Sequence, residues 1–195
     1  MTRFSPHFAL LPLLALSGCL SFGAKPPKSL LTLTPATPVT VGQAQSSARA
    51  RSIVVQVPTT TAALANTRVP VQATPTTLAY VKDAAWAEPP ARLFARLLAD
   101  TMTAGGVVVL SGVQSVDSPA GNLGGELRQF GFDATDRTAV VTFDAALTRG
   151  GQNAIEKRRF EARVPVATID AASAGTALND AANQVAAQVT DWAGR

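Results

Sequence analysis

The spacing of apolar residues changes along the chain, and this change limits the folds that the chain can adopt. Much of residues 52–81 and 124–164 alternates between apolar and polar residues or forms short β-branched runs, as strands do. Two segments instead carry apolar residues at helical spacing, one after Pro89 and one near the C-terminus. We therefore expect an α/β (α+β) fold, a single small domain that packs two main helices, at about 89–104 and 173–192, on a mixed or antiparallel sheet.

Turn residues divide the strand-forming segments into individual strands. The predicted strands cover Leu31–Thr34, Ser52–Val57, Arg68–Ala73, Thr76–Val81 and Val107–Leu110, followed by a three-strand meander near 124–133, 139–148 and 160–164. Residues 111–121 are expected to form a loop. Pro70 should place its strand at an edge or a bulge, because proline donates no hydrogen bond to a neighbouring strand. In the last strand Phe160 should face the core while Glu161 and Arg163 face solvent.

The first nineteen residues differ from the rest of the chain. Arg3 provides a positive start, and Phe8–Leu16 is an apolar run too short to span a bilayer. The chain's only cysteine, Cys19, ends this segment. The sequence Leu16-Ser17-Gly18-Cys19 resembles the lipobox of bacterial lipoproteins, in which the cysteine becomes the lipidated N-terminus.

This pattern predicts how the chain is divided. We expect a lipoprotein signal peptide at 1–18, the lipidated Cys19 with a flexible tether at 19–29, and one folded domain at 30–195. Resemblance to lipoproteins implies a covalent diacylglycerol on the Cys19 thiol and an N-acyl lipid, such as palmitate, on its amino group. Three acyl chains hold a protein stably on a membrane. Leu20, rather than an aspartate, follows the cysteine, and under the enterobacterial sorting rule this favours the outer membrane.

The distribution of reactive residues argues against catalysis. The only histidine, His7, lies in the signal peptide, so the mature chain has no histidine to act as a base or metal ligand. The acidic residues are scattered, and Asp133 with Asp136 flanks a turn, where capping is a better interpretation than cation binding. The glycine pairs 105–106 and 124–125 lack the spacing of phosphate-binding loops. We expect no enzyme activity, no metal and no cofactor apart from the covalent lipid.

The charge of the chain does not indicate a nucleic-acid partner. The formal net charge is +4, and removal of Arg3 leaves 16 basic against 13 acidic residues, a net +3. The one basic run, Lys157-Arg158-Arg159, alternates faces in a predicted strand. A solvated strand edge is therefore a better interpretation of this run than a nucleic-acid-binding patch.

The stretch between Leu64 and Met102 contains a motif made of four short segments. Its parts are Leu64-Ala65-Asn66-Thr67-Arg68-Val69, Leu78-Ala79-Tyr80, Trp86-Ala87-Glu88-Pro89-Pro90 and the helix with Leu93, Leu97 and Leu98. Together with the lipobox and Leu31-x-Leu33-x-Pro35, this motif resembles the ABC-type transport auxiliary lipoprotein family. The first strand departs from the family in having Leu31 where an aromatic residue is often found. The motif residues Tyr80, Trp86, Glu88 and Pro89 are expected to position the first helix rather than to bind a ligand.

The resemblance implies a function. Family members are periplasmic, lipid-anchored domains that work with an MCE-domain protein and with the permease and ATPase of an inner-membrane ABC transporter. Such systems move phospholipids or other hydrophobic molecules between membranes. The resemblance therefore implies an outer-membrane accessory or docking component, and it admits a homo-oligomer.

Two other functions stay open at the level of sequence. The chain could be a stand-alone periplasmic carrier that encloses a lipid or solute, which requires an apolar cavity of ~300–1,000 Å³. An enzyme is the less favoured alternative. An unpaired edge strand, in particular the one with Pro70 or the one with Lys157, would favour lateral association with a partner, whereas a closed apolar cavity would favour the carrier.

Overall fold

A computed structural model describes residues 29–46, 51–110, 121–150 and 154–194 of the 195-residue chain. The strands are β1 Ser52–Val55, β2 Thr59–Thr60, β3 Arg68–Thr74, β4 Thr77–Ala85, β5 Val108–Leu110, β6 Gly121–Asp133, β7 Thr138–Arg149 and β8 Ile155–Pro165. The helices are α1 Pro90–Ala104 and α2 Ala171–Ala193, with a 3₁₀ turn at Ala62–Leu64. These elements confirm the predicted α/β class with two main helices and a single small domain.

The sheet is organised around the long strand β6. On one side β6 pairs antiparallel with β7, which pairs antiparallel with β8. On the other side the short strands β1, β2 and β3 follow one another along β6, all parallel to it. β5 pairs parallel with β1 and β4 pairs antiparallel with β3, so the sheet is mixed.

Both helices begin where the sequence provides a start signal. Pro89 occupies the N-cap of α1 and Pro90 its first turn, where a missing N–H costs no helical hydrogen bond. The N-cap of α2 is Asp170, whose side chain accepts from the Ser173 backbone N–H, while the Ser173 hydroxyl accepts from the Asp170 N–H. This reciprocal capping satisfies two backbone donors that the first turn leaves free.

The core lies between the helices and one face of the sheet. Phe94 of α1 packs edge to face against Phe130 of β6 and Phe143 of β7. Phe160 of β8 is buried and contacts Trp192 of α2, as expected from its alternation. Neither main helix covers the opposite face of the sheet, where Glu161 and other charged side chains of the outer strand lie.

Three local expectations need comment. Leu31–Thr34 was expected as a strand, and this is wrong: only Leu31 forms a bridge, with Trp86, and the chain then crosses α2. Pro70 is not at an edge, since β3 lies between β4 and β6, but the pairing of β3 with β4 shifts register beside it, which is the expected bulge. The predicted loop falls almost entirely on residues 111–120, outside the described residues.

Candidate functional site

The family-motif residues lie around the start of α1 and along β4. Trp86 is 1% exposed, and its ring centroid is 5.3 Å from that of Phe130. Its backbone N–H donates to the Thr67 carbonyl at 2.7 Å, whereas its indole Nε1 has no hydrogen-bond partner among the described residues. Trp86 therefore joins the end of β4 to the sheet core immediately before the helix.

The other motif side chains are nearer the surface. Glu88 forms an ion pair with Arg96 of α1, and Pro89 is the N-cap. Tyr80 is half-buried on β4, and the Arg68 guanidinium carbon lies 3.6 Å from its ring centroid. The depression described below is lined by none of these four motif residues, Tyr80, Trp86, Glu88 and Pro89. Their role in positioning α1 stays a prediction.

The segment that follows the predicted tether is fastened to α2. The Asn179 amide oxygen accepts from the Thr34 backbone N–H at 2.9 Å, and the Asn183 amide oxygen accepts from the Ala36 N–H at 2.7 Å. The Asn183 amide nitrogen donates to the Thr34 carbonyl at 2.9 Å. Two asparagines one helical turn apart therefore satisfy backbone groups that a neighbouring strand would otherwise satisfy, and this explains why no strand forms at Leu31–Thr34.

This fastening can be tested at Asn183. Asn183→Ala removes two hydrogen bonds to the segment, and we expect it to lower the free energy of unfolding by about 1 kcal/mol and to speed amide exchange at Ala36. Asn179→Ala removes one such bond and serves as the matched variant with a smaller effect. Urea unfolding and hydrogen exchange measure both. Unchanged exchange at Ala36 in the Asn183 variant would contradict the assignment.

The sheet face opposite the helices carries a network of charged side chains, which we call the charged face. It is formed by Glu126, Arg128 and Asp133 of β6, Asp144 of β7, Lys157, Arg159, Glu161 and Arg163 of β8, and Asp136 of the β6–β7 turn. Arg159 donates to both oxygens of Asp144 at 2.6 and 2.7 Å. Arg163 donates to Glu161 at 2.8 Å and lies 3.8 Å from Asp133.

The ion pairs perturb two carboxyl groups. The hydrogen bonds from the Arg159 guanidinium lower the pKa of Asp144 below its ordinary value, with Arg128 and Lys157 adding a smaller attraction. The hydrogen bond from Arg163 likewise lowers the pKa of Glu161, which also accepts from the Thr142 hydroxyl at 2.9 Å. Both carboxylates are therefore held ionised, the opposite of what a general acid near neutral pH requires.

Acidification should weaken the charged face. A carboxyl group whose pKa is lower in the folded than in the unfolded state stabilises the fold above the unfolded pKa, and this contribution disappears as the pH falls through the folded pKa. For Asp144 we expect the loss below about pH 4, the ordinary aspartate range. The urea midpoint of Asp144→Asn should fall less steeply below that pH than the wild-type midpoint. Parallel curves for the two proteins would contradict the assignment.

A depression of about 590 Å³ opens on the charged face. Its lining includes Glu126, Asp144, Ala146, Lys157 and Arg159. Gly125 and Ala146, which also line it, have little or no side-chain volume to fill this space. Among the described residues, no three His, Cys, Asp or Glu side chains lie close enough to hold a metal.

The outer edge of β8 borders this face. Its pairing with β7 covers eleven residues without a register shift, and no described strand pairs with its other edge. The expectation that the strand with Lys157 is an edge is therefore correct. The Asp133–Asp136 turn also agrees with the capping interpretation, because the Asp133 carboxylate accepts from the Thr135 N–H at 2.9 Å.

Sequence reasoning missed the pairing of Asp144 with Arg159 and the two asparagines of α2. The pairing depends on which residues face each other across β7 and β8, and strand register is not visible in either strand alone. Asn179 and Asn183 did leave a signal, since two asparagines four residues apart share one face of a helix. Cys19 and the predicted signal peptide lie outside the described residues. Neither helix that the structure describes is apolar and long enough to cross a membrane.

Comparison with known proteins supports the resemblance seen in the sequence. The family model of the ABC-type transport auxiliary lipoprotein component matches residues 31–190. No curated protein is significantly similar to the chain.

Two solved structures share the fold. A Xanthomonas campestris protein with the family label DUF330 superposes with a TM-score of 0.66 at 21% identity, over 86% of this chain and 92% of that one. The crystal structure of a protein described as uncharacterized superposes with a TM-score of 0.65 at 17% identity, over 84% and 99% of the two chains. These likenesses show the fold, and the family match covers most of the domain, from Leu31 to the last turn of α2. The chain belongs to the ABC-type transport auxiliary lipoprotein component family.

Proposed function

We propose that this protein is a lipoprotein, anchored to the outer membrane through Cys19, that acts as an accessory and docking component of an MCE-type ABC transport system. Its partners would be the MCE-domain protein and the inner-membrane permease and ATPase of that system. The system would move phospholipids or other hydrophobic molecules between the membranes. The observation that carries the proposal is the family match over residues 31–190.

The structure supports docking over the stand-alone carrier. The space between the helices and the sheet is filled by side chains such as Phe94, Phe130, Phe143 and Leu178, all at most 1% exposed. The depression of about 590 Å³ on the charged face and a second one between Thr34 and Asp180 of α2 open to solvent and contain charged or polar residues. A carrier needs an apolar cavity to shield its ligand from water, and these depressions do not offer that environment.

The proposed partnership can be tested with the lipidated protein. We would crosslink envelopes of its own host mildly, purify the full-length chain and identify the captured proteins by mass spectrometry. Capture of an MCE-domain protein with an ABC permease supports the docking role. Capture of neither, together with bound lipid in native mass spectrometry, favours the carrier instead.

The anchor provides the matched control. Cys19→Ala, expressed behind a cleavable ordinary secretory signal in place of residues 1–18, removes the thiol to which the lipid is attached, so we expect the variant to leave the membrane fraction almost completely while the folded domain is unchanged. Cell fractionation and circular dichroism measure the two effects. Capture of the MCE protein should drop strongly when the anchor is lost. A variant that stays in the membrane fraction would contradict lipidation at this cysteine.

A further inference from the structure

Among the described residues, four strands have an unpaired outer edge, namely β2, β4, β5 and β8, and only one of them is long and regular. β2 has two residues. β5 has three residues. β4 is distorted, because Arg68 pairs with Ala85 while Pro70 pairs with Tyr80, and Asp83 within that interval has a φ of 56°. Short or bulged edges discourage further pairing. β8 is eleven residues long and regular, so its outer N–H and C=O groups could receive another strand.

The charges on β8 restrict what that strand can be. Lys157 points to the charged face, and Arg158 points to the helix side, where its guanidinium carbon lies 5.1 Å from the Phe160 ring centroid. In the part of the chain that the structure describes, neither cation lies within 4.0 Å of a carboxylate, whereas Arg159 is already paired with Asp144. The middle of the edge therefore carries, on both sides of the sheet, a positive charge that no described carboxylate contacts directly.

This charge disfavours one symmetric arrangement of two copies. Antiparallel pairing of two β8 strands centred on Arg158 would place the three basic side chains of each copy against those of the other. Like charges directly opposite one another on paired strands are destabilising. An acidic strand would instead place carboxylates opposite Lys157 and Arg158. Its backbone would form hydrogen bonds with the outer N–H and C=O groups of β8.

We propose that the outer edge of β8 binds an extended acidic segment of a partner protein, which adds a strand to the sheet and pairs carboxylates with Lys157 and Arg158. Backbone hydrogen bonds would supply much of the affinity and the charges the selectivity. The inference rests on the proposed docking function, because that function is what requires a protein partner. The edge geometry and the charges carry the rest.

A peptide tests this binding without the transport system. The probe is a peptide of about nine residues with three central glutamates flanked by alternating threonine and valine, and the matched peptide has glutamines in place of the glutamates. The protein is the lipidated full-length chain in nanodiscs of phosphatidylcholine. Fluorescence anisotropy measures binding, and hydrogen exchange with mass spectrometry locates it.

The expected result is binding of the glutamate peptide with slower exchange across 155–165 and unchanged exchange across 77–85. The glutamine peptide should bind about tenfold more weakly, and added salt should weaken binding of the glutamate peptide. The double substitution Lys157→Glu with Arg158→Glu should reduce the affinity for the glutamate peptide about tenfold or more. Lys82→Glu with Arg92→Glu, which changes the net charge equally at exposed positions away from β8, should leave the affinity within about twofold.

Several results would overturn the inference. These are equal binding of the two peptides, protection of a segment other than 155–165, and protection of β8 by self-association before peptide is added. Binding to phosphatidylglycerol vesicles that needs Lys157 and Arg158, without binding of the glutamate peptide, would assign the edge to a membrane surface. Because no MCE protein is present, failure here leaves the capture experiment unaffected. Failure of capture with intact peptide binding would instead count against the proposed function alone.

Discussion

Replacement of Trp86 by alanine is expected to lower the free energy of unfolding by about 3–5 kcal/mol. The indole is almost completely buried and packs edge to face on Phe130, which in turn contacts Phe94 of α1. Its backbone also bridges to Leu31 at the start of the described chain. The truncation would leave a cavity where β4, α1 and the N-terminal segment meet, and these elements cannot close it without moving the aromatic cluster.

Trp86→Phe distinguishes lost packing from a lost polar contact. Because the indole Nε1 has no hydrogen-bond partner in the part of the chain that the structure describes, phenylalanine gives up volume but no hydrogen bond, so its cost should be under about 2 kcal/mol. Trp192→Ala, at a half-buried tryptophan of α2, should cost less than Trp86→Ala. Urea unfolding measures all three variants. If Trp86→Ala proved stable and lost partner binding, Trp86 would be a contact residue and the structural interpretation would be wrong.

Gly125→Ala is expected to destabilise the fold by about 3 kcal/mol or more, because the substitution combines backbone strain with a clash. Gly125 of β6 has a φ of 141°, which side chains rarely allow. A Cβ at this position would lie 2.0 Å from the carbonyl oxygen of Asp144 and 3.0 Å from the Cα of Ala145. Both atoms belong to the backbone of β7, so relief requires separation of the two strands.

The adjacent glycine is the matched control. A Cβ on Gly124 would lie 2.9 Å from Oε1 of Gln56, the end of a flexible side chain that can move. Gly124→Ala should therefore change the free energy of unfolding by less than about 1 kcal/mol. Equal urea midpoints for the two variants would contradict the account. The added Cβ clashes with the backbone of Asp144, whose side chain binds Arg159. Gly125→Ala should therefore also weaken the ion pair between Asp144 and Arg159.

Much of the secondary structure was predictable because its causes are local. The apolar stripe after Pro89 places Leu93 and Leu97 on one face of α1, and both are buried. Alternation on β8 correctly placed Phe160 in the core and Glu161 outside. Prolines and glycines ended these segments near the observed boundaries, because they restrict the backbone of their own residue and its neighbours.

The candidate surface was predictable only in part. The basic run at 157–159 was recognised as a strand edge, but its significance depends on which carboxylates lie nearby. Asp144 neutralises Arg159 from the neighbouring strand, fifteen residues earlier in the sequence, while Lys157 and Arg158 have no such partner among the described residues. Neither fact follows from the composition of β8.

The sequence by itself determined the class of the fold, the positions of both helices and most strands, and the resemblance to a lipoprotein family. These follow from hydrophobic period, turn residues and motif, which act over a few residues. Only the tertiary structure decided that β1, β2 and β3 share one side of β6, that Asn179 and Asn183 hold the N-terminal segment, and that Asp144 of β7 pairs with Arg159 of β8. The physical reason is that backbone N–H and C=O groups are the same in every strand, so their partners are selected by packing between distant parts of the chain.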